Sequence, residues 1–185
     1  MKKIVFALSF VAASLASSGA MAQAYVSGGL GFGHINVDCT GATACDNSNT
    51  AGKITGGFRF ANNLAAELGY QSFGKASASD STVSGDIKVD AWTLGVAYLA
   101  PINADFGFKA RLGAASVKTK VDGTVVGVGS GSDSETKTKP YVGIGLNYGI
   151  AKNVKLELDA DFTQASFAGE NASVRSLTFG IRADF

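Results

Sequence analysis

The sequence is poor in the side chains that most catalytic and metal sites require. Its 185 residues include one histidine, two cysteines, two prolines and one tryptophan. Because His34 is the only imidazole, a site with several histidine ligands is excluded, and Cys39 and Cys45 lack the C-x-x-C spacing of a metal-binding pair. A serine hydrolase would need an activated serine within reach of an imidazole, and the HIN motif of His34 contains no serine. The sequence therefore predicts no enzyme, no metal site and no cofactor.

Long apolar segments are also missing. After the first residues, no segment approaches the uncharged run of roughly 18 residues that a membrane-spanning helix requires. At the start, a basic Lys2-Lys3 pair precedes a short apolar run over 4–15 and the A-x-A cleavage site Ala20–Ala22. The alternative, a membrane anchor, would need roughly 20 apolar residues. We expect 1–22 to be a cleaved signal peptide and 23–185 to be the mature domain.

A basic surface is the third missing feature. Lysine and arginine number 16 against 15 aspartate and glutamate residues, which gives a net charge of +1. Removal of Lys2 and Lys3 with the signal peptide leaves about −1, so nucleic acid is not an expected partner. Export would place Cys39 and Cys45 in an oxidising compartment, where a disulfide within their polar loop is the economical interpretation.

Alternation of apolar and polar residues is what the chain has in abundance. In VKLELDADF, at 154–162, five apolar residues alternate with one lysine and three acidic residues. A helical period of 3.6 residues does not fit this pattern, whereas a strand with one apolar face does. Similar patterns predict eight strands, at 24–37, 53–61, 64–73, 86–100, 105–115, 140–150, 154–162 and 174–185.

The connections between these strands alternate in length, and the longest spans about 118–138. Outer-membrane barrels have short periplasmic turns and long extracellular loops, and strands cross lipid only where closure pairs every backbone group. The sequence therefore predicts an all-β fold, an eight-stranded antiparallel up-and-down transmembrane β-barrel closed by its first and last strands. In the fourth strand, Ile87 and Val89 have the opposite parity to the later apolar residues, which predicts a bulge there or a strand leaving the membrane.

The last strand and the third strand carry a family resemblance. In the ending TFGIRADF, the residues Thr178, Gly180, Ala183 and Phe185 match a pattern that resembles the assembly signal of bacterial outer-membrane barrels. With LAAELGY at 64–70 and the glycine-patterned first strand, the mature chain resembles the OmpA-type eight-stranded barrel family, which includes small OmpX-, Ail- and opacity-like proteins. Nothing follows Phe185, so the peptidoglycan tether of full-length OmpA is not carried over.

The resemblance implies an outer-membrane location in a Gram-negative bacterium. It also implies assembly by the barrel-assembly machinery, contact with outer-membrane lipid and lipopolysaccharide, and a monomeric state. We expect function in the extracellular loops, in a structural or adhesin-like role, with host surface molecules as partners. The longest loop carries mixed charges at Lys118, Lys120, Asp122, Asp133, Glu135, Lys137 and Lys139.

The inward faces of the predicted strands collect charge. The residues are Arg59, Glu67, Lys109, Arg111, Glu157, Asp159, Asp161, Arg182 and Asp184. Charges in a narrow barrel are costly unless they are paired, and eight strands leave an interior that side chains just fill. We therefore expect a salt-bridged plug. The alternative is a narrow gated channel in which Glu67 exchanges partners among the basic residues, and a more distant alternative is a lipid-modifying barrel enzyme.

Overall fold

The computed structural model describes residues 23–36, 44–46, 48–79, 83–125 and 129–185. The strands are β1 (Ala24–Ile35), β2 (Ala44–Asp46), β3 (Ser48–Ala61), β4 (Leu64–Ser79), β5 (Val83–Pro101), β6 (Phe106–Val125), β7 (Gly129–Ala151), β8 (Val154–Phe167) and β9 (Glu170–Asp184). Within these ranges, no helix has the length and apolar character needed to span a membrane. The expected signal peptide and Cys39 lie outside the described residues, so cleavage and the Cys39–Cys45 disulfide stay predictions.

The eight long strands close into one antiparallel barrel. Each pairs with the next long strand along the chain, and β1 also pairs with β9, from Tyr25↔Asp184 to Ile35↔Val174. The three-residue strand β2 pairs only with the end of β4. The predicted fold class and the predicted closure of the first strand on the last are therefore confirmed.

Apolar side chains on the barrel strands point outward and charged side chains point inward. On β8, Leu158 and Phe162 are 42% and 43% exposed, while Asp159 and Asp161 are 2% and 0% exposed. Side chains alternate across a strand, so one face of β8 is apolar and the other ionic. This is the inverse of a water-soluble protein, and it suits a barrel whose outer face contacts lipid.

Much of the predicted loop structure is strand, which corrects the sequence analysis. β6 and β7 stay paired from Phe106↔Tyr148 to Val125↔Gly129, so 118–125 and 129–138 are the paired strands of a long hairpin. β4 and β5 pair as far as Ser79↔Ser84, and the loop expected at 168–173 is a two-residue turn at Ala168 and Gly169, both with positive φ. The strands of these hairpins consist largely of polar and small residues, so they lack the regular apolar face that predicted the other strands.

The four extended strands form a raised sheet on one side of the barrel, which we call the extracellular wall. It comprises 75–79, 83–90, 118–125 and 129–136, and its strands are paired in the order β4, β5, β6, β7. On the opposite side, β8 and β9 end earlier, at Phe167↔Glu170. The extracellular rim of the barrel is therefore uneven, with one high side and one low side.

The prediction of a bulge in β5 near Ile87 and Val89 is wrong. This strand keeps one register with β6 along its whole length, and the register shift lies in β4, between Ser72 and Lys75. Ile87 and Val89 point into the barrel, where Val89 is fully buried. These two apolar residues lie on the inward face of β5, whereas the later apolar residues of the strand lie on its outward face. Apolar residues can face inward here because the lumen itself is apolar at this end.

Candidate functional site in the barrel interior

A layer of buried ions fills the middle of the lumen. It has four cations and four carboxylates, all buried: Lys53, Glu67, Lys109, Arg111, Glu157, Asp159, Asp161 and Arg182. Lys109 Nζ lies 2.7 Å from Glu157 Oε1 and 3.3 Å from Asp159 Oδ1. An unpaired charge at this depth would cost several kcal/mol of desolvation, so the layer depends on each ion having opposite charges beside it.

Arg111 is bonded to three carboxylates of this layer. Its Nε donates to Glu67 Oε2 at 2.7 Å, Nη2 to Asp159 Oδ2 at 3.1 Å and Nη1 to Asp161 Oδ1 at 3.3 Å. The second oxygen of Glu67 accepts a hydrogen bond of 2.5 Å from the Tyr25 hydroxyl. Both oxygens of Glu67 are therefore engaged, on opposite sides, by Arg111 and Tyr25.

Lys53 belongs to the layer although the sequence analysis omits it. Its Nζ lies 2.6 Å from Asp161 Oδ2 and 3.0 Å from Asp159 Oδ2, and Tyr141 donates to Asp161 Oδ1 at 2.5 Å. In the sequence, Lys53 is the first residue of the strand predicted at 53–61, next to a polar loop, and it was not assigned to the inward face. Lys53 lies two residues before the inward-facing Thr55, and side chains two residues apart on a strand point to the same side. This spacing is the signal that could have identified Lys53 as an inward residue.

A second ionic group lies at the end of the lumen that holds the short turns and Phe185. Arg59 Nη2 and Arg182 Nε donate to Asp184 Oδ1 at 2.8 and 2.9 Å, and Lys155 Nζ lies 3.3 Å from Asp184 Oδ2. A cavity of about 600 Å³ opens here and is lined in part by Arg59, Lys155 and Arg182. In outer-membrane barrels this is the periplasmic end. The structure thus brings all nine charged residues of the sequence analysis into the lumen.

Glycines on neighbouring strands make room for the carboxylates. Gly143 is paired with Asp161, and Gly145 with Asp159. A Cβ at Gly143 would lie 2.5 Å from Asp161 Oδ1, and a Cβ at Gly145 would collide with Asp159 Oδ1. The inward glycines of β7 therefore provide the space that the acids of β8 occupy.

An apolar layer closes the lumen beneath the extracellular wall. Its buried members are Ile35, Phe73, Ala76, Val89, Ala91, Ala115, Val117, Tyr141, Ala165 and Val174. The alternation in the sequence predicted a charged interior only. Inward apolar residues break the simple alternation of outward apolar and inward polar positions, so this layer was not predicted.

His34 gains a neighbour that its sequence motif does not contain. The pairing of β1 with β3 sets His34 opposite Ser48, with 3.1 Å between His34 Nδ1 and Ser48 Oγ, and the contact is exposed. No carboxylate within the described ranges is hydrogen-bonded to this ring, although a catalytic triad would use one to orient it. The pair is a contact at the rim of the barrel.

The residues of the expected assembly signal lie at the seam where the barrel closes. Thr178 points inward and is buried, and the Phe185 amide donates to the Ala24 carbonyl at 2.9 Å. Ala183 is paired with Val26 of β1, and Gly180 with Gly29. A Cβ at Gly180 would lie 2.6 Å from the Gly29 Cα. The ending is therefore also the strand that closes the barrel against β1.

Comparisons with known proteins agree with this architecture. Comparison with curated proteins finds no match. Among solved structures, Ail, the attachment invasion locus protein of Yersinia pestis, is 20% identical with a TM-score of 0.56, and the match covers 87% of this chain and 98% of Ail. Neisserial surface protein A is 18% identical with a TM-score of 0.60, over 88% of this chain and 97% of that chain.

OprG from Pseudomonas aeruginosa is 15% identical with a TM-score of 0.54, and the match covers 90% of this chain and 98% of OprG. At these identities the likeness shows the fold alone. A family model described as outer membrane protein beta-barrel domain matches residues 4–185, nearly the whole chain. The chain therefore belongs to the outer-membrane β-barrel family and has its place in the outer membrane.

Proposed function

We propose that the chain acts at the cell surface through its extracellular wall, in an adhesin-like or structural role without catalysis. The observation that carries the proposal is the unbroken pairing of β6 and β7 from Ser116↔Thr138 to Val125↔Gly129. At about 3.4 Å per residue, these nine steps span roughly 30 Å. Because its backbone is already ordered, the wall would lose less conformational entropy on binding than a mobile loop would.

The charges on the wall favour a partner whose surface carries both signs. The charged residues of the wall include both signs in similar number: Lys75, Lys88, Lys118, Lys120, Asp86, Asp90, Asp122, Asp133 and Glu135. The pairs that form are exposed, with 2.8 Å between Lys120 and Asp122 and 3.4 Å between Lys75 and Asp86. Exposed pairs contribute little to stability, so a partner's charges could replace them at small cost. We propose host surface molecules as that partner.

A ligand found in a structure of Ail can be used to test which partner this chain binds. One structure of Ail from Yersinia pestis contains the heparin analogue sucrose octasulfate, at 20% identity to this chain. That observation concerns Ail. For this chain, the near balance of charge on the wall favours a protein or mixed glycan surface, and sucrose octasulfate tests the polyanion alternative.

Shortening the wall tests the proposal. Val117 and Lys137 are directly paired, so residues 118–136 can be replaced by an Asn-Gly turn that suits a hairpin. Cells that display this variant should lose adhesion to epithelial cells, whereas a variant with Lys152→Gln in the periplasmic turn should adhere like wild type. Heat-modifiable migration on a gel verifies that each barrel is folded. Unchanged adhesion with a folded, shortened barrel would leave only the structural role.

A row of lysines on the outer face supports lipopolysaccharide as a second contact. Lys75 is paired with Lys88, and Lys88 with Lys120, across three neighbouring strands. Like charges directly opposite each other destabilise a sheet; each lysine of the row has one aspartate nearby, and lipid phosphates would offset the repulsion further. The row lies just beyond Tyr70 and Trp92, whose rings are 5.2 Å apart at the level expected for the membrane interface.

A comparison of two bilayer compositions tests the contact between the lysine row and lipopolysaccharide. Wild type should gain thermal stability in bilayers that contain lipopolysaccharide relative to bilayers of phosphatidylcholine, and Lys88→Gln should reduce that gain. Lys152→Gln, at the other end of the barrel, should retain it. Equal gains for both variants would remove the lysine row from the proposal.

Assembly by the barrel-assembly machinery and a monomeric state are the remaining partner proposals. The aromatic ending supports the first, because the Phe185 side chain is half exposed and its backbone closes the seam. Phe185→Ala should lower the yield of barrel assembled in cells more than the yield refolded in detergent. Equal losses in both settings would argue against recognition by the machinery. Light scattering of the purified barrel tests the monomer.

A narrow channel is the alternative that the two end cavities favour. The ionic layer and the apolar layer together separate a cavity of about 600 Å³ from one of about 810 Å³. If Glu67 left Arg111 for Arg59, Lys109 or Arg182, the layer could open. Recordings in planar bilayers decide: a channel predicts rare openings of wild type and frequent openings of Glu67→Ala. If neither protein shows any opening, the channel hypothesis is rejected.

A further inference from the structure

The cavity beneath the extracellular wall has the size of a small-molecule site. Its volume is about 810 Å³, within the range of roughly 300–1,000 Å³ typical of ligand pockets. Inward residues from both sides of the barrel line it, among them Ile35, Ile87, Ala165, Phe167 and Ala172. The high side of the rim and the low side therefore both contribute walls to one cavity.

The floor of the cavity is closed and apolar. Ile35 and Ala165 belong both to the cavity lining and to the buried apolar layer. Val89, Val117 and Val174 of the same layer are at most 1% exposed, and the ionic layer fills the lumen further along the axis. A molecule that entered from outside would reach the end of a blind cup. The cavity is suited to binding rather than to passage.

One polar group of the lining has no partner. Thr119 is 2% exposed, it lines the cavity, and its Oγ1 makes no hydrogen bond in the described part of the chain. A buried hydroxyl without a partner is costly, and native proteins pair most such groups. A ligand with one hydrogen-bonding group would satisfy it.

The remaining polar groups favour an uncharged ligand. Among the lining residues that the structure describes, Glu170 is the only ionised side chain. The nearby cation Lys139 donates to Asn171 Oδ1 at 2.7 Å, and Ser166 donates to the same oxygen at 2.6 Å. Lys139 itself is not among the lining residues, so within the described lining an anionic ligand would meet a carboxylate and no cation.

We propose that this cavity, the extracellular cup, binds a small uncharged molecule with an aliphatic body and a single carbonyl or hydroxyl group. The aliphatic body packs against Ile35, Ile87 and Phe167, and the Thr119 side chain rotates to turn its buried hydroxyl toward the polar group. This activity is independent of the adhesive role of the wall, and each can fail while the other holds.

Isoleucine methyl groups provide the test. The full mature barrel, labelled at isoleucine and reconstituted in phospholipid nanodiscs, is titrated with 2-heptanone and followed by NMR. The methyl signals of Ile35 and Ile87 should shift along a saturable curve. Ile54 and Ile181, which face lipid, serve as internal controls and should shift only in proportion to the ketone dissolved in the bilayer. Heptanoate at neutral pH should produce no saturable shift.

Two variants locate the site. Thr119→Val keeps the shape of the side chain without the hydroxyl and should weaken 2-heptanone binding by about 5- to 10-fold. Ala165→Leu fills the cup and should abolish saturation. Migration on a gel and the unchanged methyl signals of Ile54 and Ile181 verify folding. Proportional shifts of the wild type at Ile35 and Ile87 as well as at the two control isoleucines, or full binding by folded Ala165→Leu, would overturn the proposal.

Discussion

The energetic weight of an ion pair in this barrel depends on its depth in the lumen. The side chains of Lys53 and Asp161 are 4% and 0% exposed, whereas those of Lys155 and Asp184 are 29% and 15% exposed. Removal of one partner of a buried pair leaves an uncompensated charge in low dielectric. Removal of a solvated partner leaves a charge that water screens.

Lys53 and Lys155 form a matched pair for testing this difference. We expect Lys53→Met to destabilise the barrel by about 3–5 kcal/mol, and Lys155→Met by no more than about 1 kcal/mol. Urea titration of the folded barrel in lipid vesicles measures both values. Similar losses for the two variants would show that water reaches the middle layer as freely as the periplasmic end.

Tyr25 tests whether Glu67 is fixed in place by two partners. Tyr25→Phe removes the hydroxyl that bonds to Glu67 Oε1 and keeps the ring. We expect a loss of about 1–3 kcal/mol, because a buried carboxylate oxygen is left without a donor. Tyr98→Phe, on the outward face of β5, is the matched control and should change stability by less than about 0.5 kcal/mol. A loss from Tyr98→Phe as large as that from Tyr25→Phe would contradict the assigned role.

At the scale of elements, close approach of backbones governs the seam between β1 and β9. A Cβ at Gly180 would collide with the Gly28 carbonyl oxygen and lie 2.6 Å from the Gly29 Cα, whereas a Cβ at Gly123 in the wall has no heavy atom within 4 Å. Gly180→Ala should therefore cost about 1–3 kcal/mol and slow closure. Gly123→Ala should refold like wild type, as measured by the appearance of the folded band on a gel. Equal refolding of both variants would contradict a tight seam.

The wall and the low rim are joined by a contact that should respond to pH. The Ala168 amide donates to Glu135 Oε2 at 3.0 Å. The hydrogen bond from Lys137 holds the pKa of Glu135 below its ordinary value of 4.5. A lowered pKa means that the contact is present at neutral pH and is lost only as the pH falls below 4.5.

The amide resonance of Ala168 reports this contact. Its chemical shift should be constant at neutral pH and change in a transition with a midpoint below 4.5, the ordinary value. In Glu135→Gln the transition should vanish, because the amide side chain does not titrate. A midpoint at or above the ordinary value would contradict the pairing with Lys137.

At the scale of the whole molecule, the barrel was predictable and its extracellular end was not. In β8, Leu158 alternates with charged neighbours because lipid and lumen impose opposite polarity on the two faces. The same contrast is missing in the wall, where the charged residues between Lys118 and Lys139 alternate mainly with serine and threonine rather than with apolar residues. It is also missing at Val89, because the lumen is apolar there and both faces of the strand carry apolar residues.

Contacts between distant residues were equally hidden from the sequence. Lys53 and Asp161 lie 108 residues apart, and only the closed topology brings them together. The pairing of His34 with Ser48 depends on the register of β1 on β3, which the alternation of residues does not determine. The parity of a strand predicts which residues point inward, whereas their partners depend on register and closure.

The opposite polarity of the two barrel faces is the central claim, and oxygen accessibility along β8 tests it most directly. Single spin labels are placed at 156–161 in a variant with Cys39→Ser and Cys45→Ser, reconstituted in lipid bilayers. The labels at even positions, including Leu158, should show high oxygen accessibility, and those at odd positions, including Asp159, should show low accessibility. High accessibility at the odd positions, or no alternation along the strand, would contradict a barrel with lipid outside and ions inside.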